Sequence, residues 1–208
     1  SKEYDGAALT NDEITVTGDG FVSGEGYTAD VTGSQTEVGS SQNKYTLTWD
    51  GTAVESDYTL SESLGTLTVK KSGKELKVES LDGEWTYDAT AHTNKTYKVT
   101  YGTDVLEGTE GQVEFELSTG DTVTITPATT ATITHAAETT VDNAFTWTVE
   151  NEDFYTKGTD TVGKLTVKPA TLTITTGSAE KEYDGTALTA DGTITGFVNN
   201  ETATFKVT

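Results

Sequence analysis

Apolar and hydroxyl-bearing positions alternate along nearly the whole chain. Ile14-Thr15-Val16-Thr17, Tyr45-Thr46-Leu47-Thr48-Trp49 and Leu67-Thr68-Val69 carry the pattern in the first third. Val113-Glu114-Phe115-Glu116-Leu117, Val123-Thr124-Ile125-Thr126 and Phe145-Thr146-Trp147-Thr148-Val149 carry it in the middle, and Leu165-Thr166-Val167 and Leu172-Thr173-Ile174 after that. A period of two is that of a strand with one buried and one wet face, so the pattern predicts antiparallel sheets. The runs are short, and clusters of Gly, Asn, Asp and Ser between them predict frequent turns. The nearest approach to a helix is a turn or two at 136–143. The predicted class is all-β.

The chain is also similar to itself. KEYDGAALT at 2–10 returns as KEYDGTALT at 181–189, and a degenerate form, TYDATAHT, occupies 86–93. The end of one unit, Leu64-Gly65-Thr66-Leu67-Thr68-Val69-Lys70-Lys71, matches Val162-Gly163-Lys164-Leu165-Thr166-Val167-Lys168-Pro169. These matches divide the chain into repeats at 1–71, 72–169 and 170–208. The first is expected to lack its opening strand and the third its second half. The middle repeat departs from the others: Ala89 stands for the motif Gly, His92 for Leu, and 102–140 is a longer insertion. The joints span two to four residues, too few for a flexible tether, and Pro169 removes a backbone donor at one of them. Stacked units of one kind form a quasi-linear array. With strand rise near 3.3 Å, each unit would add roughly 30–40 Å to an elongated rod.

Charge narrows the partners. The chain carries a net charge of −21, has no Cys and no Met, and all 13 of its basic residues are Lys. Nucleic acid and anionic lipid need basic clusters that are missing here. No apolar run reaches the 18–20 residues of a membrane span, so no membrane insertion is expected in this chain. The absence of cysteine argues against a small disulfide-stapled animal module. Thr makes up more than a fifth of the residues, which favours pleated surfaces over helix.

Each candidate for chemistry has a structural alternative beside it. In Tyr4-Asp5-Gly6, Tyr87-Asp88-Ala89 and Tyr183-Asp184-Gly185 the carboxylate could serve as a ligand or acid. Recurrence once per unit favours a fold-defining turn, with Asp accepting backbone N–H groups, Gly at positive φ and Tyr covering the sheet end. Trp49 and Trp147 read as core anchors at equivalent places in their units. Trp85 stands where the other repeats have Lys and is the aromatic residue to expect in a ligand contact. Asn11-Asp12-Glu13 and Glu150-Asn151-Glu152-Asp153 could supply oxygens to Ca²⁺, with Asp12, Glu13, Glu150, Glu152 and Asp153 as the carboxylates, although neither has a known calcium-loop spacing. No other cofactor is expected. The two histidines, His92 and His135, form no HExxH pair, and no GxSxG is present, so the chain is not expected to be an enzyme.

The run from KEYDGAALT through ITVTGDGFVSGEGYTADVTGSQTEVGSS and YTLTW to LGTLTV resembles the tandem all-β YDG-type repeats, and the related MBG repeats, of very large surface proteins of Gram-positive bacteria. The likeness is close over 1–71, looser over 72–169 and truncated over 170–208. It implies an extracellular, cell-wall-associated stalk or adhesin built from small Ig-like β-sandwich repeats. A seven-strand sandwich takes about 100 residues, so a β-grasp-like sheet with one short helix is the alternative for a unit near 70. The expected function is a non-catalytic spacer whose partners are neighbouring repeats and which projects a distal binding module from the wall. The alternative is that the divergent middle repeat itself binds a host glycan or host matrix protein.

Overall fold

The structure, a computed structural model, describes residues 1–204. The last four residues of the third repeat lie outside the described residues. Strand accounts for 38% of the chain and helix for 3%, so the all-β class read from the alternation holds. The first repeat contributes β1 (Lys2–Glu3), β2 (Gly26–Val31), β3 (Gly39–Gln42), β4 (Tyr45–Asp50) and β5 (Thr66–Lys70). The middle repeat begins with β6 (Glu75–Ser80), β7 (Gly83–Thr86), β8 (Tyr97–Tyr101), β9 (Asp104–Glu107) and β10 (Glu114–Glu116). It continues with β11 (Thr122–Pro127), β12 (Val141–Asp142), β13 (Phe145–Val149), β14 (Thr156–Lys157) and β15 (Lys164–Lys168). The third repeat adds β16 (Thr173–Thr176) and β17 (Gly192–Thr195).

Helical structure among the described residues is confined to two 3-10 segments, Glu55–Asp57 and Glu152–Phe154. The helical turn anticipated at 136–143 does not form. The chain there makes a reverse turn, with the Glu138 N–H donating to the His135 carbonyl, and then enters β12.

Two sheets of the middle repeat share one apolar interior. In the order β14-β6-β8-β9, strands β6 and β8 present Leu76, Val78, Tyr97, Val99 and Tyr101. Facing them, β10-β11-β13 presents Phe115, Val123, Ile125 and Val149. The alternation explains which side chains turn inward: in β6, Leu76, Val78 and Ser80 are buried, whereas Glu75, Lys77 and Glu79 lie towards solvent. A third sheet, β12-β15-β7, closes on a smaller cluster of Ala131, Ile133, Leu165 and Val167. The stretch 102–140, read as an insertion, holds β9, β10 and β11; β9 and β10 pair with β8 and β11 and so widen both sheets of the main interior, whereas β11 is the counterpart of β2, since it pairs with β13 as β2 pairs with β4.

Burial is uneven along the array. Of the 19 buried apolar side chains, 15 belong to the middle repeat. Fully burying one such side chain contributes about 1.5–3 kcal/mol, so the middle repeat holds most of the packing energy. Tyr4 and Val69, from the first repeat, sit in the middle repeat's main core. The sequence period and the packed unit are therefore offset. Ile14 and Val16 occupy the places of Tyr97 and Val99, which β6 flanks in the middle repeat. No strand plays that part in the first repeat among the described residues, and the two side chains are 38% and 48% exposed.

The joint between the first two repeats is held at several points. Buried Ser72 donates its N–H to the Phe154 carbonyl and shares a 2.7 Å hydroxyl bond with Tyr101. Its carbonyl accepts from the Thr156 hydroxyl. The Gly73 N–H donates to Glu3 across the same joint.

The tryptophans correct the sequence reading. Trp49 pairs with Tyr27, whereas Trp147 pairs with Ile125, and Val149 holds the position that corresponds to Trp49. Both indoles are half-buried, not central. Trp49 packs among Phe21 and Tyr58, and Trp147 lies beneath the Lys157 ammonium and donates from Nε1 to Asp160.

Candidate functional site

The three Tyr-Asp-Gly turns are the most repeated piece of chemistry in the chain, and their local geometry agrees. Asp5 accepts from the Ala7 N–H at 3.0 Å, Asp88 from Thr90 at 2.9 Å and Asp184 from Thr186 at 2.9 Å. The following residue has positive φ each time: 81° at Gly6, 63° at Ala89 and 77° at Gly185. An Asp side chain that accepts a backbone N–H two residues on, ahead of a left-handed residue, forms this turn from local sequence alone.

The first and third turns add a lysine. Lys2 Nζ lies 2.5 Å from Asp5, and Lys181 Nζ lies 2.7 Å from Asp184. The Lys181 ammonium, followed by the Thr186 backbone and hydroxyl bonds, holds the Asp184 carboxyl down to about 2. Lys2 and the Ala7 N–H lower Asp5 in the same way.

The degenerate middle turn keeps the arrangement with different residues. Trp85 replaces the lysine, and His92, at the position of Leu9, places Nε2 2.9 Å from Asp88. The Trp85 ring stacks on the His92 imidazole at 4.8 Å between centroids, with planes 11° apart. The indole also lies against Gly83, where an added Cβ would fall 2.2 Å from the ring. The backbone bridge is also kept, since Leu9 pairs with Gln35 and His92 pairs with Ile133. The stacked pair Trp85 and His92 thus occupies the places that Lys2 and Leu9 hold in the first turn. Trp85, the sequence candidate for ligand contact, is thereby stacked within its own turn.

The first two turns are each positioned by a parallel strand pair. β1 runs parallel to β5 and β7 parallel to β15. The Tyr4 N–H then donates to the Lys70 carbonyl and the Tyr87 N–H to the Lys168 carbonyl, both at 2.8 Å. The motif tyrosine therefore emerges where the last strand of its repeat passes into the next repeat.

There it meets a carboxylate of that next repeat. The Tyr4 hydroxyl donates to Asp121 Oδ2 at 2.8 Å, and the Tyr87 hydroxyl donates to Glu201 Oε1 at 2.6 Å. Asp121 is buried and also accepts from the Tyr155 hydroxyl at 2.5 Å and the Asn151 amide at 2.9 Å. Tyr4 packs edge-on against Phe154 and Tyr155. Gly6 lies so close to the Thr119 carbonyl that a Cβ would approach to 2.0 Å. Burial first, and the Asp121 hydrogen bond second, push the Tyr4 phenol up to about 12 and raise Tyr155 further. The Glu201 bond raises Tyr87. These hydroxyls are held as protonated donors, an arrangement suited to joining surfaces.

A comparison with protein families, curated proteins and solved structures finds no match for this chain.

The carboxylates that receive the tyrosines were not singled out from sequence. The signal is present in the repeat alignment: Ser23-Gly24-Glu25, Thr119-Gly120-Asp121 and Asn199-Asn200-Glu201 each place an acid after a residue at positive φ. The acidic clusters considered for calcium have other partners. Asn11 accepts the Glu13 N–H in a turn that Asn94 and Thr96 repeat. Glu150 accepts the Thr122 N–H, and Glu152 pairs with Lys157 at 2.6 Å. Asp12 and Asp153 are exposed. Among the described residues no group of three or more His, Asp or Glu side chains is gathered as a metal would require.

Proposed function

We propose that the chain is a run of non-catalytic spacer repeats from a bacterial cell-surface adhesin, built to hold successive Ig-like units in a rod that projects a distal binding module from the cell wall. The observation that carries this reading is the recurrence of one contact at both joints: Tyr4 to Asp121, and Tyr87 to Glu201. A tyrosine that reaches from each repeat into the next restrains the angle between them, which is the mechanical need of a spacer. The pinned Ser72 joint supports the same reading. So does the high negative charge, which keeps a crowded surface array soluble.

Small-angle scattering on the intact chain tests the geometry. Two and a fraction units end to end give a rod roughly 80–100 Å long, with a radius of gyration of about 23–29 Å. A compact globule of this length gives about 17 Å, and that value would sink the proposal. Antibodies raised against the chain should also label intact source cells; labelling only after lysis counts against the surface assignment.

A further inference from the structure

The middle repeat begins and ends on two chain segments that run parallel, side by side. Glu75 stands opposite Thr156, Glu79 opposite Thr161, Gly83 opposite Leu165 and Thr86 opposite Lys168. The first segment holds β6 and β7 and the second holds β14 and β15, so the pairing starts in one sheet and finishes in another. The Ser72 N–H donates to the Phe154 carbonyl at one end of this ladder, and the Tyr87 N–H donates to the Lys168 carbonyl at the other.

Where the pairing passes between the sheets, side chains carry it across. The Val78 N–H donates to Asp160 Oδ1 at 2.8 Å, the Gly163 N–H to the Ser80 hydroxyl at 2.9 Å and the Lys164 N–H to Asp82 Oδ1 at 2.7 Å. Ser80 is buried, and a Cβ on Gly163 would fall 2.6 Å from the Ser80 and Leu81 carbonyl oxygens, so the segments are in close contact here. Nearer the exit, Lys168 pairs with Glu84 at 2.5 Å.

The direction of the two segments decides how they respond to tension. The chain enters the first segment at its Ser72 end and leaves the second at its Lys168 end. In a parallel pair these are opposite ends of the ladder. Tension applied at the two joints therefore slides one segment along the other and strains all the cross-bonds together. A pair pulled apart from one end gives way bond by bond instead. Forced unfolding is set by the unfolding rate, and a barrier that requires many bonds to fail at once keeps that rate low under load.

We infer that this parallel pair is a load-bearing clamp, which makes the middle repeat far more resistant to stretching along the chain than to stretching in other directions. It engages both sheets of the repeat, and Asp160, Ser80 and Asp82 keep it continuous between them. This rests on the spacer reading, which supplies tension along the chain, and adds that the repeat is built to withstand it.

Single-molecule force spectroscopy on the intact chain tests the clamp. The chain has no cysteine of its own, so introduced pairs define the points of attachment. Lys71→Cys with Pro169→Cys loads the two segments in shear. Lys71→Cys with Asp153→Cys pulls the same segments apart from the Ser72–Phe154 end. All three positions are exposed. At one loading rate, the first pair should rupture at a severalfold higher force than the second. Adding Asp82→Ala and Glu84→Ala removes two links from the far half of the ladder. That double change should lower the shear force and leave the second force, which is set at the Glu75–Thr156 end, as it was. Equal forces in the two directions overturn the clamp, as does a shear force that the double change leaves intact. A compact globule in scattering would sink the spacer reading without altering the ratio of forces, whereas equal forces in a rod-shaped chain would remove the clamp alone.

Discussion

Tyr4 and Asp121 are 117 residues apart, yet the phenol of one donates to the carboxylate of the other at 2.8 Å inside the core of the middle repeat. The N-terminal turn therefore forms part of the next unit's interior.

Removing that hydroxyl should weaken the middle repeat although the residue lies outside it. Tyr4→Phe leaves buried Asp121 with two donors and should cost about 1.5–3 kcal/mol, the usual value for a hydrogen bond to a charged group. Tyr4→Ala should cost about 3–5 kcal/mol through the cavity it opens. Urea midpoints followed by Trp147 fluorescence measure both. No change in midpoint would mean that the first repeat does not dock in solution.

Alkali should loosen the same joint. The Tyr4 phenol is raised by burial and by Asp121 to about 12, against about 10 in an unfolded chain. The unfolded chain therefore gives up this proton first. The contribution is fully present below pH 10 and is lost as pH climbs from about 10 towards 12. Tyr155, raised in the same direction, deepens the loss. Lysines titrate nearby in pH, so the quantity to read is the difference from Tyr4→Phe: the gap in urea midpoint between wild type and variant should narrow over this range. A gap that stays constant would refute the assignment.

Gly6 and Gly185 separate backbone strain from close approach. Their φ angles, 81° and 77°, are nearly equal, so Ala at either position meets the same left-handed cost of about 1–2 kcal/mol. Only at Gly6 does a Cβ also meet the Thr119 carbonyl, at 2.0 Å. Gly6→Ala should therefore lower the thermal midpoint clearly more than Gly185→Ala. Equal shifts would show that the turn is not seated on the middle repeat.

The pair Trp85 and His92 should behave as a single exchangeable element. Trp85→Lys alone leaves His92 without its stacked ring, and His92→Leu alone removes the imidazole from Asp88. The double variant restores the Lys–Asp–Leu set of the first turn, so its thermal midpoint should recover most of what either single change loses. Additive losses in this double-mutant cycle would show that the two substitutions are independent.

Much of the local chemistry was legible in the chain itself. The period-two alternation marks β4, β5, β10, β11, β13, β15 and β16, although Ile14–Thr17 carries it and forms no strand, and the Asp of each motif, followed by Gly6, Ala89 or Gly185, announces a turn whose bonds span only two residues. The helical turn expected at 136–143 failed because the stretch is drawn into a bridge at Ile133 and a strand at Val141. The placing of Trp49 and Trp147 failed for a different reason. Both lie on the inward face of their strands, and only the pairing with Tyr27 and Ile125 reveals the two-residue offset.

The sequence by itself determined the class, the repeat and the turn, because alternation and side-chain-to-backbone bonds act between near neighbours. It left open what each motif tyrosine touches. That was decided by the parallel pairing of β1 with β5 and of β7 with β15, which carries the turn to the exit of its own repeat. From there Tyr4 reaches Asp121 and Tyr87 reaches Glu201, partners more than a hundred residues away. A contact of that range exists only once the sheets have assembled, so nothing in the local pattern of Lys2-Glu3-Tyr4-Asp5-Gly6 could name its partner.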